Sequence, residues 1–305
     1  MIRYALAAQA LKFFSLNSAT RKLYRSIGNL RGGKSRATAV KPHYIQRANS
    51  NLAYLEKYGA IGHGKVAMEL GTGWVHWEAL FTRLFYDVEF ILFDVWDNRQ
   101  FGGFKFYCSE LRRRIATEVD RPREQIERAQ TLLDEILTFD SFEAVYQRLG
   151  FRYVLNQTGF LDAISDNHLD LIISSDVLEH VPAKAVTELF AAMYRTLKPG
   201  GFIAHQIVPA DHLLIYDKSV SGKQYLRYSD FVWRAFFENG VQYFNRIQHS
   251  EWVEKVRAQG FDILCEEITA RIDVSDMKIS KRFHNLPQSD LEATVTHLVA
   301  QRPAL

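Results

Sequence analysis

The sequence predicts an α/β protein built around a doubly wound, mostly parallel sheet. Three apolar runs have a polar or acidic residue at or next to their carboxyl ends: residues 66–70, residues 88–94 and residues 169–175. Segments with helical spacing separate these runs. Continuous apolar runs that alternate with helices are typical of parallel strands whose two faces are both buried. The first run is followed at once by Gly71 and Gly73, which indicates a tight turn at the carboxyl end of a strand.

The glycine turn predicts a ligand site. Gly71 and Gly73 permit positive φ angles and a close approach of a bound molecule, and a helix predicted from residue 74 would direct amide groups toward it. Dinucleotide-binding turns place a small residue three positions after the second glycine, whereas His76 stands there. Glu69 would repel a pyrophosphate and suits a ligand with a cationic amino group. An NAD(P)-dependent oxidoreductase is therefore the weaker alternative.

The remaining strands and helices are predicted from apolar runs and from the residues that end them. Further strands are predicted at residues 151–155, 202–208, 261–264 and 294–299, the last two as an antiparallel pair. Helices are predicted at residues 44–58, 111–117, 125–137, 141–149, 182–197 and 250–260. The stretch of residues 31–35, Arg-Gly-Gly-Lys-Ser, is interpreted as a polar linker because the Walker spacing is absent.

Four motifs in order resemble one enzyme family. The pattern Glu-x-Gly-x-Gly at residues 69–73 resembles the first motif of class I S-adenosylmethionine-dependent methyltransferases, and Asp94 ends the next strand. Residues 169–181, which end Leu-Glu-His-Val, resemble the fourth-strand motif of small-molecule methyltransferases of the ubiquinone-biosynthesis type. Residues 197–204, Leu-Lys-Pro-Gly-Gly-Phe-Ile-Ala, match the family's turn into its fifth strand. The resemblance implies a seven-stranded Rossmann-like methyltransferase fold with helical insertions.

The resemblance also implies a cofactor, S-adenosyl-L-methionine, and the residues that bind it. These residues are Glu69, Gly71, Thr72, Gly73, Asp94, Thr158, Gly159 and Asp176. Asp94 would accept the ribose hydroxyls, and Asp176 would lie next to the sulfonium. The family usually has an acidic residue where Thr158 stands, so the contact of Thr158 and Gly159 with adenine departs from the pattern.

Methyl transfer from a sulfonium is an in-line displacement that needs an aligned acceptor and, for a hydroxyl, a base. His212 is the first candidate for that base, because it follows the fifth strand and has Asp211 beside it. Asp211 or Asp217 could fix its tautomer. His180 is the second candidate, although a histidine in this motif can equally be structural. A positioned imidazole would favour O-methylation.

Asp176, Glu179 and His180 have the i, i+3, i+4 spacing that one helical turn brings together. The resemblance to quinone O-methyltransferases makes a magnesium ion conceivable there. We expect no metal, because magnesium sites usually need more carboxylates or waters.

The N-terminal segment is basic. Residues 1–55 contain ten Lys or Arg and no acidic residue, which leaves 28 basic against 35 acidic residues in the remainder. We predict a basic helical N-terminal cap over residues 1–60. A helix lying on an anionic membrane and an organelle-targeting peptide stay open. The helical period continues through Leu23, Ile27 and Leu30, which disfavours a short targeting peptide.

The remaining residues, 61–305, are predicted to form the methyltransferase domain. It would carry a helical insertion at about residues 95–150 and an aromatic lid at about residues 209–249. The aromatic side chains of that second stretch would serve either as a lid beside the reactive methyl group or as a small extra core.

Composition limits the possible partners. No apolar run is long enough to cross a bilayer, and Cys108 and Cys265 lack metal or redox spacing, which favours a cytoplasmic location, with peripheral membrane contact left open. An Asn-Pro-Pro-Tyr motif is absent and basic residues lie away from the motifs, so we expect no nucleic-acid substrate. The expected acceptor is a small molecule, lipid, quinone or saccharide. A non-catalytic cofactor-binding module is a further alternative.

Overall fold

The computed structural model describes residues 2–36, 38–41 and 43–304, which form two compact units. Unit 1 contains the chain up to Gly28 together with Asp176–Phe190 and His205–Leu298. Unit 2 contains Asn29–Ser175, Ala191–Ala204 and the chain from Val299 onward. None of the described helices combines the length and the apolar character needed to cross a membrane.

Seven strands form one sheet. The strands are β1 Val66–Leu70, β2 Glu89–Asp94, β3 Phe151–Leu155, β4 Leu169–Ser175, β5 Leu197–Ile207, β6 Asp262–Arg271 and β7 Ala293–Gln301. Their spatial order is β3-β2-β1-β4-β5-β7-β6, and β1 pairs in parallel with both β2 and β4. The predicted doubly wound, mostly parallel seven-stranded sheet is thereby confirmed.

The order in which successive strands are added to the sheet reverses at the boundary between β1 and β4. From β1 to β3 the chain adds strands on one side of β1, and β4 and β5 lie on the other side. Met68 is in register with Ile91 of β2 on one side and with Ile172 of β4 on the other. Ligands of doubly wound folds bind at the carboxyl ends of the strands that flank such a reversal. The glycine turn leaves β1 at this point.

The helices of unit 2 cover its strands. They are α3 His43–Lys57, α4 Trp77–Phe85, α5 Phe101–Glu118, α6 Arg123–Thr138 and α7 Phe142–Leu149. Their inward side chains, among them Leu80, Phe81, Phe104 and Leu133, are fully buried in one apolar core. The helices predicted between residues 111 and 149 are present, and the first of them begins ten residues earlier than predicted, at Phe101.

Unit 1 has its own apolar core. It contains α1 Ile2–Phe14, α9 Asp230–Phe236, α10 His249–Ala258 and α11 Gln288–Glu292. Tyr4 of α1 packs against Phe237 at 5.4 Å between ring centroids, and both belong to a cluster with Tyr225 and Trp233. The aromatic side chains of residues 209–249 therefore build a small core, one of the two roles left open above.

Two helices begin elsewhere than the sequence predicts. The helix predicted from Trp74 begins at Trp77, because the amide of Gln100 donates to the Trp74 carbonyl at 3.1 Å and His76 adopts a left-handed φ of 49°. The helix predicted from Pro182 begins with a short 3₁₀ turn, and α8 spans Val186–Thr196.

The prediction of a linker at residues 31–35 was wrong. Helix α2 spans Ser18–Arg36 and passes straight through this stretch. Glycine weakens a helix by about 1 kcal/mol relative to alanine, which is much less than the cost of proline, and the next proline in the sequence is Pro42. Paired glycines alone therefore do not end this helix.

Candidate functional site

The turn after β1 has the strained backbone that its glycines predict. Gly71 has φ 70° and Gly73 has φ 62°, both in the left-handed region that other residues seldom adopt. The amides of Gly71 and Thr72 donate to the carbonyl of Phe93, at 2.8 and 3.2 Å. These bonds fasten the turn to the end of β2.

Asp94 holds the same turn with its side chain. Its carboxylate accepts the amide of Gly73 at 2.9 Å, that of Val95 at 2.7 Å and that of Trp96 at 3.1 Å. Burial raises the pKa of Asp94, and the three amide bonds oppose that rise. The side chain predicted to accept the ribose hydroxyls is thus already oriented by the backbone of both loops.

Glu69 is buried beneath the helix that follows the turn. Its Oε2 accepts the Thr72 hydroxyl at 3.0 Å and the amide of Ala79, in the first turn of α4, at 3.2 Å. Burial, together with the nearby charge of Glu78, raises the pKa of Glu69 to about 8. The side chain therefore caps the helix, and its raised pKa favours the protonated carboxyl at neutral pH.

A directed chain of hydrogen bonds continues from Glu69. Because the Thr72 hydroxyl donates to Glu69, its oxygen accepts the Nδ1 proton of His76 at 2.7 Å. The Nε2 atom of His76 then accepts the hydroxyl of Tyr146, also at 2.7 Å. Burial, with a smaller effect of the Arg99 charge, lowers the pKa of His76 to about 3, so the ring is neutral.

Thr158 and Gly159 lie on the loop after β3, beside the loop after β2. The Thr158 hydroxyl donates to Asn156 Oδ1 at 2.8 Å, and Gly159 has φ 78°. A side chain added at Gly159 would meet Val95, the neighbour of Asp94, at 3.5 Å. Unit 2 therefore brings the predicted residues of three strand ends, after β1, β2 and β3, to one edge of the sheet.

The eighth predicted cofactor residue, Asp176, begins the second segment of unit 1 and follows β4 directly. It has a left-handed φ of 59°, a conformation uncommon for residues other than glycine, although aspartate adopts it more often than most. Its amide donates to the Gln206 carbonyl at 3.1 Å, and its Oδ1 accepts the Gln206 amide at 2.9 Å. Two bonds from β5 thus hold this strained backbone.

The two predicted catalytic histidines lie together in unit 1. The rings of His180 and His212 stack with centroids 4.7 Å apart and planes 25° apart. The Nδ1–H of His180 donates to the carbonyl of Tyr243 at 2.7 Å, which leaves Nε2 as the hydrogen-bond acceptor. The Nδ1 atom of His212 is buried and has no hydrogen-bond partner among the described residues.

The pKa of each histidine is lowered, which favours the neutral imidazole. Removal of water by the surrounding protein lowers the pKa of His180. The same cause, with the neighbouring His180, lowers the pKa of His212 to about 4. Neutral imidazoles are the form that accepts a proton, and the same lowering of the pKa makes each ring a weaker base.

The expectation that Asp211 or Asp217 would orient His212 finds no counterpart among the described hydrogen bonds. The Asp211 carboxylate accepts the Tyr4 hydroxyl at 2.6 Å and the Leu213 amide at 2.9 Å. The Asp217 carboxylate accepts the Tyr4 amide at 3.2 Å. Both carboxylates hold α1 instead.

The candidate metal ligands are grouped differently from the sequence pattern. Ligand atoms of Glu179, His180 and His212 lie within 4.8 Å of one another, whereas Asp176 is not part of this group. One carboxylate and two imidazoles are donors that transition metals accept more readily than magnesium does. The prediction that no metal is bound there stays a prediction.

Several contacts that shape the site have no local sequence signal. Tyr146 reaches His76 across 70 positions, and Asn51 of α3 donates to the Ser175 hydroxyl at 2.9 Å across 124 positions. His76 entered the sequence interpretation only as a misfit to dinucleotide turns. Its role in bracing the turn follows from packing alone.

A doubly wound sheet, a glycine turn at its reversal point and acids at successive strand ends define the class of nucleotide-cofactor α/β enzymes to which class I methyltransferases belong. The chain belongs to a methyltransferase family: the family model described as "Methyltransferase domain" matches residues 42–266. This match confirms the predicted resemblance to S-adenosylmethionine-dependent methyltransferases and the expected enzyme class. The ubiquinone-biosynthesis subtype stays a prediction.

Solved structures with a similar course of the chain are methyltransferases of low sequence identity. Phosphoethanolamine N-methyltransferase 2 of Haemonchus contortus, in complex with S-adenosyl-L-methionine, is 16% identical, with a TM-score of 0.48, over 84% of this chain and 52% of that one. An S-adenosylmethionine-dependent methyltransferase of Mesorhizobium loti is 15% identical, with a TM-score of 0.42, over 83% and 96%. The chain thus spans about half the length of the Haemonchus enzyme. A comparison with curated protein sequences found no match.

Proposed function

We propose that this protein transfers a methyl group from S-adenosyl-L-methionine to a hydroxyl of a small molecule, lipid, quinone or saccharide. The observation that carries the proposal is the stacked pair of His180 and His212 in a chain of the methyltransferase family. A hydroxyl has a pKa far above neutrality, so its proton must leave as the methyl group arrives. Neutral imidazoles meet that requirement.

Unit 2 is proposed to bind the cofactor through the turn at Gly71, Thr72 and Gly73. The strained turn permits close approach of the ligand, and Asp94 faces it with a carboxylate fixed by three amides. Thr158 and Gly159 adjoin the loop of Asp94, which supports their proposed contact with adenine. Asp176 is proposed to lie next to the sulfonium.

Within the pair, Nε2 of His180 is proposed as the atom that accepts the proton of the acceptor hydroxyl. Its Nδ1 proton is committed to the Tyr243 carbonyl, so its Nε2 lone pair points away from that bond and is available to a hydroxyl. As a whole residue, His180 is exposed and His212 is half-buried. His212 stacks on it, and the neighbouring His180 helps to lower the pKa of His212, so His212 stays neutral beside the base.

The acceptor is proposed to be neither DNA nor RNA. Basic residues without acidic neighbours cluster in residues 1–55 and not in the sequence motifs of the family. The Leu178–Glu179–His180–Val181 motif supports a small-molecule acceptor of the quinone type.

Isothermal titration with S-adenosyl-L-methionine and with NAD, followed by an assay for S-adenosylhomocysteine release with hydroxylated acceptors, tests the proposal. We expect binding of the first ligand alone and product release with at least one acceptor. Binding of NAD in its place would contradict the cofactor. Cofactor binding without turnover of any acceptor would favour a non-catalytic binding module.

A further inference from the structure

Helix α1 is apolar on two opposite faces. One face carries Tyr4, Ala8 and Leu11, which are buried in the core of unit 1. At about 100° per residue, Ile2, Leu6 and Phe13 lie on the opposite side of the helix. Their exposed fractions are 79%, 64% and 60%, so this second apolar stripe faces away from the core.

The exposed stripe does not belong to a loosely held helix. The Tyr4 hydroxyl donates to Asp211, and the Gln9 amide donates to the Phe236 carbonyl at 2.6 Å. Lys12 donates to the carbonyls of Arg234 and Ala235 at the end of α9, at 2.9 and 2.7 Å. Unit 1 thus holds α1 rigidly while three large apolar side chains stay in water.

Further exposed apolar side chains follow along the same segment. Leu16 is 71% exposed, and Leu23 and Ile27, one turn apart on α2, are 53% and 37% exposed. These residues and those of the α1 stripe are neighbours in sequence and all exposed, and we call them the N-terminal face: Ile2, Leu6, Phe13, Leu16, Leu23 and Ile27. Monomeric proteins seldom expose so many large apolar side chains in one short segment without a partner.

The charged residues of this segment are all basic. Arg3, Lys12 and Lys22 lie among these residues in sequence, and no acidic residue occurs before Glu56. Glu238, from another segment of unit 1, lies beside Lys12 and Leu16. A twofold interface between two copies of this chain would place the same cations opposite one another, which is unfavourable. An anionic lipid surface satisfies both the cations and the apolar side chains.

We propose that the N-terminal face docks onto the surface of a membrane that contains anionic lipids. Ile2, Leu6 and Phe13 enter the boundary between headgroups and acyl chains, and Arg3 and Lys22 reach lipid phosphates or carboxylates. α1 lies along the surface, since it is too short to span a bilayer. This docking does not depend on the proposed methyl transfer.

Sedimentation of the full chain with phosphatidylcholine vesicles, with and without phosphatidylserine, tests the proposal. We expect the protein to bind the anionic vesicles and to be released as salt rises. Leu6→Glu with Phe13→Glu should weaken vesicle binding by at least about tenfold, because two apolar anchors become anions. Leu264→Glu, at an exposed apolar position on β6, is the matched control and should bind normally.

A second pair of variants separates charge from apolar contact. Arg3→Glu with Lys22→Glu should also weaken binding by at least about tenfold, whereas Arg123→Glu, on the surface of α6, should not. These positions are exposed, so melting temperatures should stay near that of the parent protein. Deletion of α1 is unsuitable, because it would remove Tyr4 from the core.

Three results would overturn the proposal. One is absence of binding to anionic vesicles at low salt. Another is binding that neither pair of variants weakens. The third is a parent protein that is dimeric by light scattering and becomes monomeric in Leu6→Glu with Phe13→Glu, which would assign the N-terminal face to a second copy of the chain.

Discussion

The glycine turn of unit 2 and the histidine pair of unit 1 satisfy their polar groups in opposite ways. Around the turn, the carboxylates of Glu69 and Asp94 each accept at least two hydrogen bonds from the protein itself. In the pair, His180 uses Nδ1 to donate to the Tyr243 carbonyl, which leaves Nε2 as an acceptor. The buried Nδ1 of His212 has no hydrogen-bond partner among the described residues.

This difference separates a scaffold from a reactive group. Hydrogen bonds that are complete before a ligand arrives hold a backbone in a strained, pre-organised shape, as at Gly71 and Gly73. A nitrogen lone pair that the fold leaves available can take a proton from a substrate. We therefore expect changes at the turn to alter cofactor affinity, and changes at the pair to alter turnover.

The largest effect is expected at the histidine pair. His180→Ala should lower kcat by about 10²–10⁴-fold, the usual contribution of a positioned base, with unchanged affinity for S-adenosyl-L-methionine. His212→Ala should lower kcat less, and the double variant should resemble His180→Ala alone, because the two rings act as a unit. Steady-state kinetics with calorimetric binding provide both measurements.

His284→Ala, at an exposed histidine of unit 1, is the control and should leave kcat unchanged. In the parent protein kcat/KM should rise with pH and level off, because the base must be unprotonated. The midpoint of this increase should lie at a pH below 6.5, since the pKa of His180 is lowered from that value. If His180→Ala keeps full activity, the base lies elsewhere.

The next largest effect is expected at the turn. Gly71→Val places a β-branched residue at φ 70°, where a left-handed backbone costs it about 1–2 kcal/mol, and puts methyl groups where the ligand approaches. Titration calorimetry should show binding of S-adenosyl-L-methionine weakened by at least about 100-fold, or about 2.8 kcal/mol.

Gly59→Val is the matched control, because Gly59 has φ 66° and no atom within 4 Å of an added Cβ. The two variants carry the same backbone strain, so they should lose similar melting temperature while only Gly71→Val loses the ligand. Equal affinities in the two variants would remove the turn from the cofactor site.

The strand ends were the part that sequence could predict. Glu69, Asp94 and Asp176 each close or follow an apolar run, and such runs have one stable arrangement, a buried parallel sheet whose carboxyl ends share an edge. The same argument placed His180 after the fourth strand and His212 after the fifth, and the structure stacks their rings.

What depends on distant packing could not be predicted. The chain from Tyr146 through His76 to Thr72 joins positions up to 74 residues apart, and no periodicity marks it. The start of α4 at Trp77 depends on the hydrogen bond from Gln100 to Trp74, again a contact between distant segments. Local propensity favoured an earlier start, and tertiary contacts outweighed it.

The role of Glu69 tests whether the side chains of the glycine turn only hold the backbone or also contact the ligand. Its hydrogen bonds to Thr72 and Ala79 describe a cap, whereas the sequence assigns it a cationic ligand. Burial raises the pKa of Glu69 to about 8, so the protonated carboxyl is favoured below that pH. A cation that binds the ionised form must displace that proton, so ligand binding should release protons at neutral pH.

The smallest effect is therefore expected from Glu69→Gln, read as a function of pH. In the parent protein the affinity for S-adenosyl-L-methionine should rise by up to about tenfold per pH unit as pH approaches 8, because each unit adds about 1.36 kcal/mol to ionisation. Glutamine keeps an acceptor for Thr72 and Ala79 but cannot ionise, so its affinity should be weaker and independent of pH. Calorimetry in two buffers of different ionisation enthalpy measures the released protons directly. A parent protein that releases none, with an affinity that Glu69→Gln leaves unchanged, would assign Glu69 to the helix cap alone and leave Asp94 as the acid of unit 2 that meets the cofactor.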